Sequence, residues 1–314
     1  MGGKTHPLLR VGLSDLRGRI SRARAVDLKS LSDDQVFSRV ARLADGYMKR
    51  PDALVATMVF RARRHDTRNP FKHASEVWHP PASVVKRGRF NAVGQPVFYV
   101  ANRFHAAIFE MRPAVGDLFT VLAVKRRDPT EVIKCVSIGM SRCQAPEVAI
   151  GGRHMKWDRR DLPDEKAPPG VEARWSAIDR YFGDIALATC PPGDEEWFYK
   201  PTNALSRLFG NIPNTDALQY PSVAVDLKAV NLRLTTDKAD QLFAPGEAWM
   251  VEVVDHRDEL PGLPPLASGY FQMRLVARTD LIGDDWMMRW RPFAPGDPIP
   301  RYVDGEPRFP MIRG

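Results

Sequence analysis

Apolar residues recur at two different periods along this chain, and each change of period marks a change of predicted element. Residues 1–55 follow a helical period. Ser32 and Gln35 have capping-box spacing, Asp33 and Asp34 suit a helix N-terminus, and Val36, Val40, Leu43 and Ala44 return on one face. A helix with one apolar face must pack on something, so this zone reads as an extension docked on a larger core.

Residues 56–245 mix both periods. Strands are predicted over 56–61, over the apolar run PVFYVA at 96–101, and over 118–124. Asn102 is a candidate N-cap for a helix on which Phe104, Ala107, Ile108 and Met111 share a face. The charged, proline-containing stretch 151–170 reads as a loop. Helical patterns resume at 175–188 and 202–209, with short strands at 222–225 and 232–234. From 246 to 314 the pattern gives strands at 248–254 and 270–277. A proline-rich, extended tail follows over 292–310. The chain thus divides into an N-terminal helical extension (1–55), a mixed central domain (56–245) and a C-terminal extension packed on it (246–314). No internal repeat is present.

Composition narrows the class only slightly. Of 314 residues, 44% are hydrophobic and 27% charged, enough for a real core, and 27 prolines imply many loops. The formal charge of +8 favours anionic partners without separating a nucleic acid from a dinucleotide. Cys135, Cys143 and Cys190 have neither CxxC spacing nor a matched histidine cluster, so reduced thiols and no metal are expected. His73 and His79, six apart, fit no metal spacing. The first twenty residues carry no apolar core of a signal peptide, and no apolar run would span a bilayer; a cytoplasmic protein is expected.

Four segments could carry chemistry. On a helical wheel Glu110 lies about 110° from the apolar stripe, at the core edge where a carboxylate could face a cleft. In Phe60-Arg61-Ala62-Arg63-Arg64, alternation sends Arg61 and Arg63 to the side opposite Phe60, an arrangement suited to holding phosphate oxygens or to forming a solvated face. Between Gly88 and Gly94, Arg89 and Asn91 offer donors on a turn whose glycines allow close approach. Tyr220-Pro221-Ser222 sets a hydroxyl at a strand start but is not a GxSxG elbow. Tyr99, in the apolar strand, reads as core with a hydroxyl that needs a partner. Neither GxGxxG nor GxxxxGK[ST] occurs, which disfavours a Rossmann dehydrogenase and a P-loop enzyme.

Taken in order, FRAR (60–63), GRFNAVGQPVFYVA (88–101), AAIFE (106–110) and YPSVAVDLKAVN (220–231) resemble the RES family, named for an arginine, a glutamate and a serine. The matching positions are Arg61, Arg89 with Asn91, Tyr99, Glu110, and Ser222 with Asn231. Arg63 competes with Arg61, which is favoured because it directly follows the apolar strand end. Phe90 stands where compact members generally have Trp. The resemblance is strong over 60–111, fair over 218–234, weak between, and absent before about 56 and after about 245.

The resemblance implies an α+β fold similar to the ADP-ribosyltransferases, a pair of packed sheets around an NAD⁺ cleft with flanking helices. Here that core would carry an N-terminal helical and a C-terminal β extension. It further implies cleavage of the nicotinamide–ribose bond by phosphorolysis or hydrolysis, with NAD⁺ as substrate, inorganic phosphate a possible co-substrate and no metal. Arg61, Glu110 and Ser222 would be the catalytic set; Arg61, Arg89, Asn91, Tyr99 and Asn231 would bind the dinucleotide. Compact members are toxins restrained by an antitoxin, so such a partner is an expectation, while membrane and nucleic-acid partners are not. Two alternatives stay open: ADP-ribosyl transfer to a macromolecule, and a non-catalytic nucleic-acid-binding or interaction module. The second is motivated by the net charge and by Arg17, Arg19, Arg22 and Arg24.

Overall fold

The computed structural model describes residues 6–47, 52–54, 58–65, 69–142, 148–150, 153–155, 170–210, 212–258, 269–294, 297 and 311–313. Helices α1 (Leu13–Arg24) and α2 (Asp33–Leu43) lead the chain. The predicted capping box forms in both directions, Ser32 Oγ accepting from Gln35 N and Gln35 Oε1 accepting from Ser32 N. Val36, Val40 and Leu43 are buried in the same cluster as residues of the later helices α4 (Glu172–Leu187) and α6 (Lys200–Phe209). Burying each such side chain contributes about 2 kcal/mol, so the N-terminal zone is integral to one core. Arg87 adds a bidentate bridge to Asp33 at 2.9 and 3.1 Å and reaches Glu196 at 3.2 Å.

Among the described residues the strands are β1 (Asp52–Leu54), β2 (Met58–His65), β3 (Val97–Ala101), β4 (Leu118–Arg126), β5 (Ile133–Ser137), β6 (Val148–Ile150), β7 (Arg153–Met155), β8 (Ala217–Pro221), β9 (Val230–Thr235), β10 (Phe243–Arg257), β11 (Tyr270–Thr279), β12 (Trp290–Pro292) and β13 (Met311–Arg313). Eleven share one mixed sheet in the order β1-β5-β8-β9-β3-β2-β4-β10-β11-β12, with β13 on β11, while β6 and β7 pair separately. Helices α3 (Phe104–Phe109), α5 (Glu195–Phe198) and α7 (Thr236–Leu242) complete the α+β architecture. The N-terminal helices and C-terminal strands lie where the sequence puts them.

The path of strands is nearly cut in the middle. Whereas β2 and β4 pair over eight residues, β2 and β3 share a single registered pair, Phe60 opposite Ala101. A five-strand half and a six-strand half therefore meet at a joint one pair long, and the backbone beyond it must find other partners.

Several expected boundaries move. Strand β10 extends well beyond 248–254 and crosses the division drawn at 245/246, accommodating Pro245 at a break in register between Pro245 and Ala248. The segment 222–225 is not a strand. β8 ends at Pro221, and Val223–Val225 form a 3-10 turn followed by left-handed Asp226 and Leu227. Asn102 does not cap α3. Arg103 is the N-cap, and Asn102 Oδ1 instead accepts from Val230 N at 2.8 Å. β7 occupies part of the expected 151–170 loop; Cys143, most of that loop and most of the tail lie outside the described residues.

Candidate active site

Helix α3 is buried on every side, from Phe104 through Phe109, and is too short to carry the amphipathic wheel expected of it. Met111, assigned to the apolar stripe, is 40% exposed. Glu110 is the C-cap, exposed, at the point where the chain leaves the core, and Arg112 turns it away with a left-handed φ of 49°. The glutamate thus lies at the core edge because the helix stops there, not because of its wheel angle. Arg64 holds this turn by donating to the carbonyls of Met111 and Arg112 at 2.9 and 2.8 Å, and it pairs with Asp117 at 3.1 Å.

Two donors from the late part of the chain converge on that carboxylate. Ser222 Oγ donates to Glu110 Oε1 at 2.6 Å, and Asn231 Nδ2 donates to the same oxygen at 2.7 Å. Both donor residues are buried, Ser222 completely. Among the described residues Oε2 has no protein partner, so one oxygen is pinned and the other is left unengaged.

Sheet register explains the convergence. Asn231 on β9 lies opposite Ala101 on β3 and Tyr220 on β8. Alternation from Tyr220 sends Ser222 toward the same side. Ser222 is then fixed at the neck of a loop, its N–H donating to Ala229 O at 2.8 Å and its carbonyl accepting from Leu227 N at 2.9 Å. Tyr220 stands close by: burial, and next the charge of Glu110, push its phenol well above the usual range.

Arg61 occupies the open joint between β2 and β3. Its Nη1 donates to Tyr99 O at 2.9 Å and its Nε to Val77 O at 2.6 Å, and the guanidinium lies 5.3 Å from the Phe98 ring centroid. The strand carbonyl that a continued ladder would have satisfied is satisfied by this side chain instead. Burial first, and the like charge of Arg63 second, push Arg61 down to about 10. Among the described residues no carboxylate pairs with it. Three of its five N–H groups have no partner there, which suits an incoming anion. Arg63 is exposed and donates to Glu76 O, a peripheral position that favours Arg61 as the arginine of interest. No hydrogen bond or ion pair among the described residues links Arg61 directly to Glu110. The connection runs through β3 and β9.

The turn at 88–91 does not act as expected. Asn91 is buried, both its N–H groups go to the carbonyls of Lys86 and Ala92 (2.9 and 3.0 Å), and its Oδ1 accepts from the Tyr99 hydroxyl at 3.0 Å. No donor is left for phosphate or ribose, so Asn91 is structural. The Tyr99 hydroxyl also accepts from Phe90 N at 2.8 Å and is held mainly by burial far above its usual pKa; only its ring is available to a ligand. Arg89 Nη1 donates to Ala186 O and Ala188 O at 2.6 and 2.9 Å, where a cation suits the end of α4. The sequence reading missed Arg233, which is buried, opposite Tyr99 across β3 and β9, and donates to Phe90 O at 3.3 Å. Its spacing of two from Asn231 in a predicted strand was the available signal.

Comparison with known families agrees with this geometry. A family model described as the RES domain matches residues 58–253, more than half of the chain. The chain belongs to the RES domain family. RES domains are linked generally to NAD⁺-processing enzymes. The matched span contains every residue of the candidate site, from Arg61 to Arg233, and ends within β10. No curated protein matches the chain. Among the described residues no group of His, Cys, Asp or Glu is arranged to hold a metal, and no helix is long and apolar enough to cross a membrane.

Proposed function

We propose that this RES-domain chain cleaves the nicotinamide–ribose bond of NAD⁺. The observation that carries the reading is the carboxylate of Glu110, pinned through Oε1 by Ser222 and Asn231 with Oε2 left unengaged among the described residues. Nicotinamide departs with the electron pair of the C1′–N bond, and positive charge develops on the ribose ring. A fixed carboxylate oxygen beside that carbon stabilises the charge without reorganising at the moment of reaction, as in glycoside cleavage generally. Water or inorganic phosphate then adds to C1′; if water adds, its extra proton passes to solvent.

Arg61 would hold the pyrophosphate, its unpartnered N–H groups regaining in the bound anion the charge partner that burial denies them. Tyr99 would present its ring to the nicotinamide or ribose face, since its hydroxyl is already committed. Arg89 would contribute at longer range, because one of its nitrogens is occupied by α4 carbonyls.

Nicotinamide release from NAD⁺ by the purified chain tests the reading. Glu110→Gln is expected to lower the rate by about 10²-fold; an unchanged rate removes Glu110 from the chemistry. Supplying phosphate and identifying the product separates phosphorolysis, which yields a ribose 1-phosphate ester, from hydrolysis, which yields free ADP-ribose.

A further inference from the structure

The C-terminal extension beyond the matched span reaches back to the anion-binding arginine. Arg61 Nε is held by the carbonyl of Val77, so the segment around residues 71–78 sets where the guanidinium points. That segment is strapped down by residues 285–290. Ala74 N donates to Trp286 O at 2.9 Å, Met288 N to Lys72 O at 2.8 Å, and Trp290 Nε1 to Phe71 O at 2.6 Å. A His73 ring nitrogen lies 3.2 Å from Asp285 O. His73 and Met287 form an isolated antiparallel bridge.

Trp286 is the centre of the strap. Its ring stacks on His73 at 6.1 Å and meets Trp78 edge-on at 5.0 Å, so it touches residues on both sides of Val77. Its backbone is left-handed, with φ of 54°, a conformation that is unfavourable for a residue other than glycine. The side chain packs on the core cluster that holds Ala74, Val77 and Trp78, and its ring contacts with the 71–78 segment are what the strained position supplies. Strain held at a site is compensated by the contacts that fix it.

We propose that Trp286 is a positioning residue for Arg61, acting through the His73–Trp78 segment and the Val77 carbonyl, so that the C-terminal extension sets the geometry of the anion subsite. The role assigned to Arg61 rests on the proposed NAD⁺ cleavage; the coupling of Trp286 to Arg61 does not.

The test reads Arg61 directly. In ¹⁵N–¹H spectra of the full chain, the Arg61 Nε–H signal is identified by its absence in Arg61→Lys, and its exchange with solvent is measured. Trp286→Gly removes the ring while leaving the left-handed backbone at ease. It is expected to speed that exchange by about tenfold, Trp286→Phe to restore protection, and Leu281→Ala, an exposed neighbour, to leave it unchanged. In the same variants Trp286→Gly is expected to raise KM for NAD⁺ by about tenfold with kcat little changed, the size of one lost hydrogen bond to a charged group. Unaltered Arg61 exchange in Trp286→Gly overturns the proposal. Should that variant not fold, His73→Ala, which removes the stacking partner, is read in its place with the same two outcomes. A wild-type chain that releases no nicotinamide sinks the proposed function, and the exchange measurement still decides the coupling.

Discussion

Ser222 and Glu110 are 112 positions apart in sequence and 2.6 Å apart in space, the hydroxyl donating to the carboxylate. Because Asn231 donates to the same oxygen, the carboxylate has two fixed points on one side and none on the other. Ser222→Ala leaves Asn231 as the sole donor and frees the group to rotate. The expected result is a fall in kcat for nicotinamide release of about 10-fold or more, with KM nearly unchanged. A variant with wild-type kcat would show that the serine does not orient the acid.

Arg61 predicts a pH dependence. Its pKa in the folded chain is pushed down from its ordinary value to about 10, because burial penalises the charged form. Above the folded value the unfolded chain holds the proton more tightly than the folded chain, so Arg61's own contribution to stability rises with pH there. Anion binding runs the other way, since it needs the proton. Inorganic pyrophosphate is expected to raise Tm at pH 8 and to lose that effect as pH climbs through about 10. Melting curves with and without pyrophosphate at each pH check this, with Arg61→Met as the variant that should not respond at pH 8.

Asn91 separates structure from binding. Its amide satisfies the carbonyls of Lys86 and Ala92 and anchors the Tyr99 hydroxyl. Asn91→Ala is expected to cost about 1–3 kcal/mol in folding stability, read by denaturant titration, through the polar groups it strands. The folded fraction should keep a KM for NAD⁺ within about twofold of wild type. A large rise in KM with unchanged stability would return Asn91 to the binding site.

Gly88 is tested by its own close approach. A Cβ there would lie 2.3 Å from Asn91 Oδ1, an atom held by the Tyr99 hydroxyl and unable to yield without breaking that bond. Gly88→Ala is expected to destabilise the chain by about 1–3 kcal/mol. A Tm equal to that of wild type would show the turn to be more compliant than its contacts imply.

Much of this was legible in the residues. The capping box at Ser32 and Gln35 forms because its two hydrogen bonds are local, and local bonds are written in adjacent positions. Strand β3 follows from an uninterrupted apolar run and β4 from a mostly apolar one, and the RES-like wording brought Glu110, Ser222 and Asn231 forward together. Other features depend on what packs where. The period-3.6 argument failed for α3 because a fully buried helix has no polar side to read. Residues 222–225 look like a strand but turn, since Pro221 has no N–H to continue the ladder and the next stretch closes on Ala229. Asn91 looked like a ligand donor because a side chain does not announce which carbonyls will use it first. Nothing local in Trp286 signals its contact with His73, more than 200 residues earlier.

The single pair between Phe60 and Ala101 has a consequence for how such a receptor comes to exist at all. When two strands part inside a protein, main-chain oxygens and amides on both edges lose their partners, and each must find another. A guanidinium fills that vacancy with room to spare, because its fork has more hydrogens than the gap has acceptors. Under the proposed function, the surplus hydrogens are what a phosphate would meet. Closing the seam by extending the ladder would satisfy the backbone equally well and would erase the proposed receptor, so on this reading an imperfection in strand pairing is what creates the capacity to hold an anion.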